Sequence, residues 1–324
     1  MTDRLRRRAL FQLTAILSGM ATAGPALARP SFAARGPSQD WNGRVAVPGG
    51  AVAWKRVGGG AKTPLLVLHG GPGAGHNYLL PLAALGDERA VIFYDQLGCG
   101  GSDAPRDATL YTVQRSVEEL AAVRRALGLE RVILFGNAWG GMLAIEYLCQ
   151  TGCEGIEKLI LSGTPPSLKQ ALAGQQRLLD ALPDDAGAKM QALEALGRTD
   201  SDDYQDLVLD FYRRHVCRVY PWPTPVQDSI EVVSRAIAYQ VMNGPNEFTI
   251  TGTLKGWDRS ADLNRITAPT LITTGEFDEV TRDCAETLRA GIKGSEMMVF
   301  ANLSHMTMDE APDLYCAALR KFIV

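Results

Sequence analysis

A nucleophile, a base, an acid and an oxyanion cradle all have candidate positions in this chain, and the nucleophile position holds the wrong atom. The turn Gly136-Asn137-Ala138-Trp139-Gly140-Gly141 follows the apolar run 131–135 and opens a helix expected over 141–149. A sharp strand-to-helix turn between glycines holds a nucleophile strained and exposed, in the pattern Gly-x-Ser-x-Gly. Position 138 is alanine. A methyl group cannot attack a carbonyl carbon, so the chain carries the surroundings of a serine hydrolase without its nucleophile.

His69-Gly70-Gly71-Pro72-Gly73 follows the apolar run 64–68, at the carboxyl end of an expected central strand. Successive glycines let backbone N–H groups approach a developing oxyanion, and the two donors are assigned to Gly71 and Trp139. The acid and the base must follow the nucleophile position in that order. Asp278 lies just past the short strand expected over 270–274, and His305 lies in the loop beyond the strand expected over 297–300. A histidine there takes the nucleophile's proton while the carboxylate fixes its tautomer. The other three histidines, His69, His76 and His215, precede or lie outside these late strands. As an ordinary feature, Asp278 would be the N-cap of a helix over 280–292. Cys99 belongs to a different loop and is not a substitute nucleophile; a structural role fits it better.

Together, the HGGPG segment, Tyr94-Asp95-Gln96-Leu97-Gly98-Cys99-Gly100-Gly101-Ser102, the Gly-Asn-Ala-Trp-Gly-Gly elbow, Asn243-Gly244-Pro245-Asn246-Glu247-Phe248, Gly275-Glu276-Phe277-Asp278-Glu279 and Ser304-His305 carry a resemblance. The chain resembles the proline iminopeptidase family of α/β-hydrolases, with the tricorn-interacting aminopeptidases and amino-acid amidases as its nearest likeness there, from about residue 40 to the carboxyl end. The resemblance implies a mainly parallel central sheet with an inserted helical cap. It also implies cleavage of an N-terminal aminoacyl group through an acyl-enzyme, and a serine where this chain has Ala138. It further implies that Glu247 and Glu279 hold the substrate's α-ammonium, since a buried site offsets that group's desolvation with carboxylates. Read without the resemblance, Glu247 is a surface turn residue and Glu279 a helix N-terminal charge. Two functions compete: an aminopeptidase or amidase silenced at its nucleophile, and a noncatalytic homologue that binds aminoacyl ligands or a partner.

The elements that must position these residues are legible as strands over 64–68, 90–94, 131–135, 159–162, 270–274 and 297–300. After residue 162 the strand–helix alternation stops. Helices are expected over 168–182, 188–196, 204–214 and 225–242, giving an α/β core over 40–165 and 258–324 with a cap over 166–257. The Tyr220-Pro221-Trp222-Pro223 tract separates two of these helices, and its aromatics are expected to pack inside the cap.

With 324 residues, 46% hydrophobic and 21% charged, the chain has ordinary globular composition. A formal charge of −3 gives no footprint for nucleic acid. No metal-ligand spacing or repeat appears and nothing calls for a cofactor, so the expected partner is a small peptide or amino-acid amide. The leader, with Arg6-Arg7-Arg8 before a moderately apolar stretch and Ala26-Leu27-Ala28, resembles a twin-arginine export signal over 1–28. A periplasmic or secreted protein without a lasting membrane anchor is expected. Six cysteines in an exported chain permit disulfides, Cys149 with Cys153 being the nearest pair in sequence.

Overall fold

The computed structural model describes residues 42–324; the export-signal reading lies outside them. Eight strands form one sheet: β1 (Gly43–Val47), β2 (Gly50–Val57), β3 (Lys62–Leu68), β4 (Arg89–Tyr94), β5 (Val132–Asn137), β6 (Ile156–Ser162), β7 (Thr270–Gly275) and β8 (Glu296–Phe300). Their order across the sheet is β1-β2-β4-β3-β5-β6-β7-β8. The pairs β1/β2 and β2/β4 are antiparallel and the remaining five are parallel.

The central strands are apolar without alternation because both faces are covered. Leu66, Leu68, Leu134, Leu159 and Leu161 face α1 (Val113–Ala126), α2 (Trp139–Thr151) and α8 (Arg282–Gly291). Leu65, Val67, Ile133, Phe135 and Ile160 face the 3₁₀ segment Asn77–Asp87 and the last helix, α10 (Pro312–Phe322), which the short α9 (Thr307–Glu310) precedes. Period-two alternation along each strand thus divides the core into two layers.

Between β6 and β7 the chain leaves the sheet and forms α3 (Leu168–Asp180), α4 (Ala186–Ala195), α5 (Asp202–His215), α6 (Thr224–Arg235) and α7 (Ile237–Met242). Leu179, Met190, Tyr204, Val208 and Phe211 bury one another inside this insertion. Its ends are tied where it departs and returns, by Leu168 N–H to Trp257 O at 3.0 Å and Arg259 N–H to Pro166 O at 3.0 Å. Trp222 packs internally, with its Nε1–H donated to Cys217 O at 2.9 Å, whereas Tyr220, also expected to pack there, is exposed beneath the Arg213 guanidinium.

Several boundaries correct the sequence expectations. The strands β1 and β2 had not been expected. The helix expected over 225–242 is two helices that break at Ala236, whose φ −68° and ψ 127° are extended. The helix expected over 280–292 begins at Arg282. The final helix is interrupted at Ala311, as the proline at 312 requires of the residue before it. Cys149 and Cys153 are not bridged: all six cysteines are free, and these two turn separately toward Asp262 O and Arg265 O. Among the described residues no helix is long and apolar enough to cross a membrane.

Candidate active site

The loops that follow β3, β4, β5, β6, β7 and β8 converge at one edge of the sheet, the carboxyl ends of its parallel strands, where open α/β sheets place their ligand sites. The β5–α2 turn is the sharpest of them. Ala138 has φ 50° and ψ −119°, sparsely populated for any residue with a Cβ. Its amide donates to Ser162 O at 2.9 Å, and the Asn137 side-chain amide donates to the same oxygen at 3.2 Å. The turn closes tightly enough that a Cβ on Gly140 would lie 2.1 Å from Leu68 O. Only glycine fits there.

His305 and Asp278 meet above the β6 end. His305 Nδ1 lies 2.7 Å from Asp278 Oδ1, and Val280 N–H also donates to that oxygen at 2.9 Å. Gly163, with φ +50°, makes room for the pair: a Cβ there would stand 2.7 Å from His305 Nδ1. His215, at the end of α5, anchors both loops, because its carbonyl accepts the amides of Glu279 at 3.1 Å and His305 at 3.2 Å. Burial opposes the imidazolium of His305, but the Asp278 charge and hydrogen bond, with Glu279 and Glu247 nearby, outweigh it and hold its pKa up to about 9.

Gly71 has φ +108° in the loop after β3, and Trp139 begins α2, where first-turn amides have no intrahelical acceptor. Three residues that sequence reasoning did not single out fasten the loops here, Tyr78 and Gln96 those of Gly71 and Trp139, and Asp95 the neighbouring turns. The Tyr78 hydroxyl accepts from Gly70 N–H at 2.8 Å and donates to Asn137 Oδ1 at 2.7 Å, tying the glycine loop to the elbow. Gln96 accepts from the Trp139 indole at 2.8 Å and donates to His69 O at 2.9 Å. Asp95 accepts from the amides of His76 and Gly101 at 2.9 and 2.8 Å. Asp95 and Gln96 stood in the quoted 94–102 motif, but a partner 43 residues away leaves no local signal. Cys99 is buried, with its Sγ 3.5 Å from His69 Nε2, and does not line the cavity.

A cavity of about 160 Å³ brings these parts together: Gly71, Ala138, Trp139, Glu247, Glu279 and His305 all line it. Asp278 stands behind His305 and outside the lining. The walls are largely apolar, including Met142, Leu168, Leu172, Ile230, Val233 and Leu254. Glu279 Oε1 is 3.8 Å from His305 Nε2, and Gln175 Nε2 donates to Glu279 Oε2 at 3.4 Å. Glu247 is half-buried as a residue, yet its Oε1 is shielded from solvent and has no hydrogen-bond partner. Burial first, then the charge of Glu279, pushes the Glu247 carboxyl well above the usual carboxylate range, while the Tyr212 hydroxyl bonds to it. Burial also raises Glu279, against the opposing pull of His305. No cluster able to hold a metal ion occurs among the described residues.

A mainly parallel eight-stranded sheet with a glycine-bounded elbow at β5 and an acid–histidine pair on the loops after β7 and β8 defines an α/β-hydrolase. The family model for the alpha/beta hydrolase fold matches residues 63–312. The proline iminopeptidase of Saccharolobus solfataricus is 41% identical over 266 residues, 82% of this chain and 86% of that protein. That of Thermoplasma volcanium is 40% identical over 264 residues, 81% of this chain and 89% of the relative. The crystal structure of the proline iminopeptidase of Mycobacterium smegmatis superposes with a TM-score of 0.81 at 36% identity, covering 87% of this chain and 97% of that one. The chain belongs to the proline iminopeptidase family of α/β-hydrolases.

Proposed function

We propose that this protein is an aminopeptidase or amino-acid amidase scaffold that receives the free amino terminus of a small peptide or amino-acid amide and, with Ala138 at the nucleophile position, does not cleave it. The observation that carries the reading is the carboxyl pair Glu247 and Glu279, lining the same cavity as Ala138 and His305, with one carboxyl oxygen buried and unpartnered. A buried acceptor without a donor costs about 1–3 kcal/mol. A ligand ammonium supplies the missing donor and the opposite charge.

With a serine at position 138, the steps follow from the geometry. The hydroxyl oxygen attacks the aminoacyl carbonyl carbon as the neutral imidazole of His305 takes its proton at Nε2, and Asp278 stabilises the imidazolium through Nδ1; the bound ammonium, by offsetting the Glu247 and Glu279 charges that favour the imidazolium, makes the neutral form easier to reach. The Gly71 and Trp139 amides bind the oxyanion. His305 then gives the proton to the leaving amine as the C–N bond breaks, and water releases the acyl group by the same route in reverse. With alanine the first bond cannot form, so ligand recognition remains and turnover does not.

The test compares binding of an aminoacyl amide with that of its N-acetyl counterpart by calorimetry. Charge-assisted hydrogen bonds contribute about 1.5–3 kcal/mol each, so acetylation should weaken binding by roughly tenfold or more. Glu247→Gln should reduce that discrimination. Equal affinity for the free and acetylated ligands would refute amine recognition.

A further inference from the structure

Glu247 and Glu279 line a cavity in which His305 stands beside Asp278 at 2.7 Å and Glu279 at 3.8 Å, leaving Glu247 without a cation of its own. Among the described residues, no lysine or arginine lines the cavity, and His305 is held by Asp278. Both carboxyl groups line the one cavity; Glu279 has His305 Nε2 at 3.8 Å, whereas Glu247 Oε1 is shielded from solvent and has no hydrogen-bond partner. Tyr204 and Tyr212 of α5, Tyr239 of α7 and His305 face Glu247; Asp278, His305 and Gln175 of α3 face Glu279. The tyrosines are neutral hydroxyls, kept so by burial and by these same carboxylates. Two carboxylates that share a small buried cavity with a single nearby cation do not both keep their charge; such a pair retains a proton. Burial and the charge of Glu279 push the Glu247 carboxyl toward its protonated form, and its Oε1 is the acceptor left open.

We propose that the Glu247–Glu279 pair takes up a protonated amine in exchange for a proton, so that docking of a ligand's free amino terminus expels one proton from the cavity to solvent. The inference rests on the amine-recognition reading and adds its chemistry. The empty pair holds one proton and one negative charge; the occupied pair holds two carboxylates and one ammonium. Cavity charge is therefore unchanged, the O–H bond on Glu247 is broken, and its proton leaves for bulk water. The ammonium offers up to three donors in place of one. As a consequence, affinity rises with pH while the ligand stays protonated, and falls once the ligand's own α-amino group, with a pKa of about 7.7–8.0, loses its proton.

The experiment is calorimetric titration of the Ala138 protein with L-alaninamide and L-prolinamide at about pH 6, in buffers of differing ionisation enthalpy. At that pH the ligands are fully protonated, so any proton released comes from the protein. The expected result is an observed heat linear in buffer ionisation enthalpy, with a slope approaching one proton released per ligand, and no such slope for Glu247→Gln. As a second readout, log Ka for the unaltered chain should rise by nearly one per pH unit from about pH 5 to 6.5. Binding without release, a flat log Ka, or undiminished release from Glu247→Gln would overturn the exchange and leave amine recognition standing. No binding, or equal binding of the acetylated amides, would overturn both.

Discussion

Ala138 holds a backbone conformation that costs of order 1–3 kcal/mol for a residue with a Cβ, and its methyl group gains nothing evident from it. On the proposed reading, the elbow is a geometry suited to a nucleophilic side chain in place of that methyl group. His305 has its carboxylate partner in Asp278, at 2.7 Å. His305 has a pKa of about 9 in the folded protein against about 6.5 when unfolded, so folding favours its protonated form. That contribution, roughly 3 kcal/mol, is fully present below about pH 6.5 and is lost as pH rises through about 9. Urea unfolding from pH 6 to 10 should show this decline, and Asp278→Asn, which removes the principal opposing charge, should flatten it; an unchanged slope in the variant would deny that Asp278 holds the imidazolium. Ala138, Asp278 and His305 were legible because chain order and strand ends locate them, and Glu247 and Glu279 were legible through the family resemblance. Tyr78 and Gln175 were not, because their roles are hydrogen bonds to residues 59 and 104 positions away.

Each central strand is built on a short apolar run that stops at a turn, which is why those strands could be read from sequence within three residues. The β1–β2 hairpin could not. At the sheet edge Arg44, Lys55 and Arg56 interrupt the apolar pattern, and only pairing with β4 completes it. The break at Ala236 also lacks a local cause, since neither proline nor glycine occurs there. It is set by docking: a Cβ on Gly73 would come within 2.7 Å of the Ala236 Cβ, so the bend between α6 and α7 rests directly on the glycine loop. The elbow is equally intolerant of added atoms. In Gly140→Ala the new methyl must displace the Leu68 carbonyl or the start of α2, a change that costs typically about 1–3 kcal/mol and occasionally more. Chemical denaturation should report that loss together with weakened amide binding. Full stability with unaltered binding would mean that the elbow is looser than its geometry indicates.

Across the molecule, the sheet supplies rigid strand ends and the helical insertion supplies Glu247 and Gln175, so the cavity exists only while the insertion is docked. One fastening is ionic. Arg259, where the insertion returns, binds Glu146 on α2 through Nε at 2.7 Å and through Nη2 at 2.5 Å, and Trp257 Nε1–H donates to the same carboxylate at 2.9 Å. The Glu146 side chain is only 4% exposed. Removing Arg259 strands a buried carboxylate, and Arg259→Ala should cost about 3 kcal/mol, the lower end of the range for a broken buried pair because the arginine is partly exposed. A loss under about 0.5 kcal/mol would place this contact among ordinary surface pairs. The boundaries of the insertion were visible as a change in texture after residue 162, whereas its docking contacts were not, because they join residues from about sixty to more than a hundred positions apart.

The central claim is that the cavity is a complete aminoacyl-hydrolase site apart from one oxygen atom. Ala138→Ser supplies that atom and alters nothing else. Losing a triad serine typically costs about 10⁶-fold in turnover, roughly 8 kcal/mol of barrier. Assayed on aminoacyl arylamides, the Ala138 protein should be silent, and the serine variant should release the arylamine at a rate about 10⁶-fold above that residual level. A serine variant that folds and binds the ligand but releases nothing, or steady hydrolysis by rigorously purified Ala138 protein, would contradict the account.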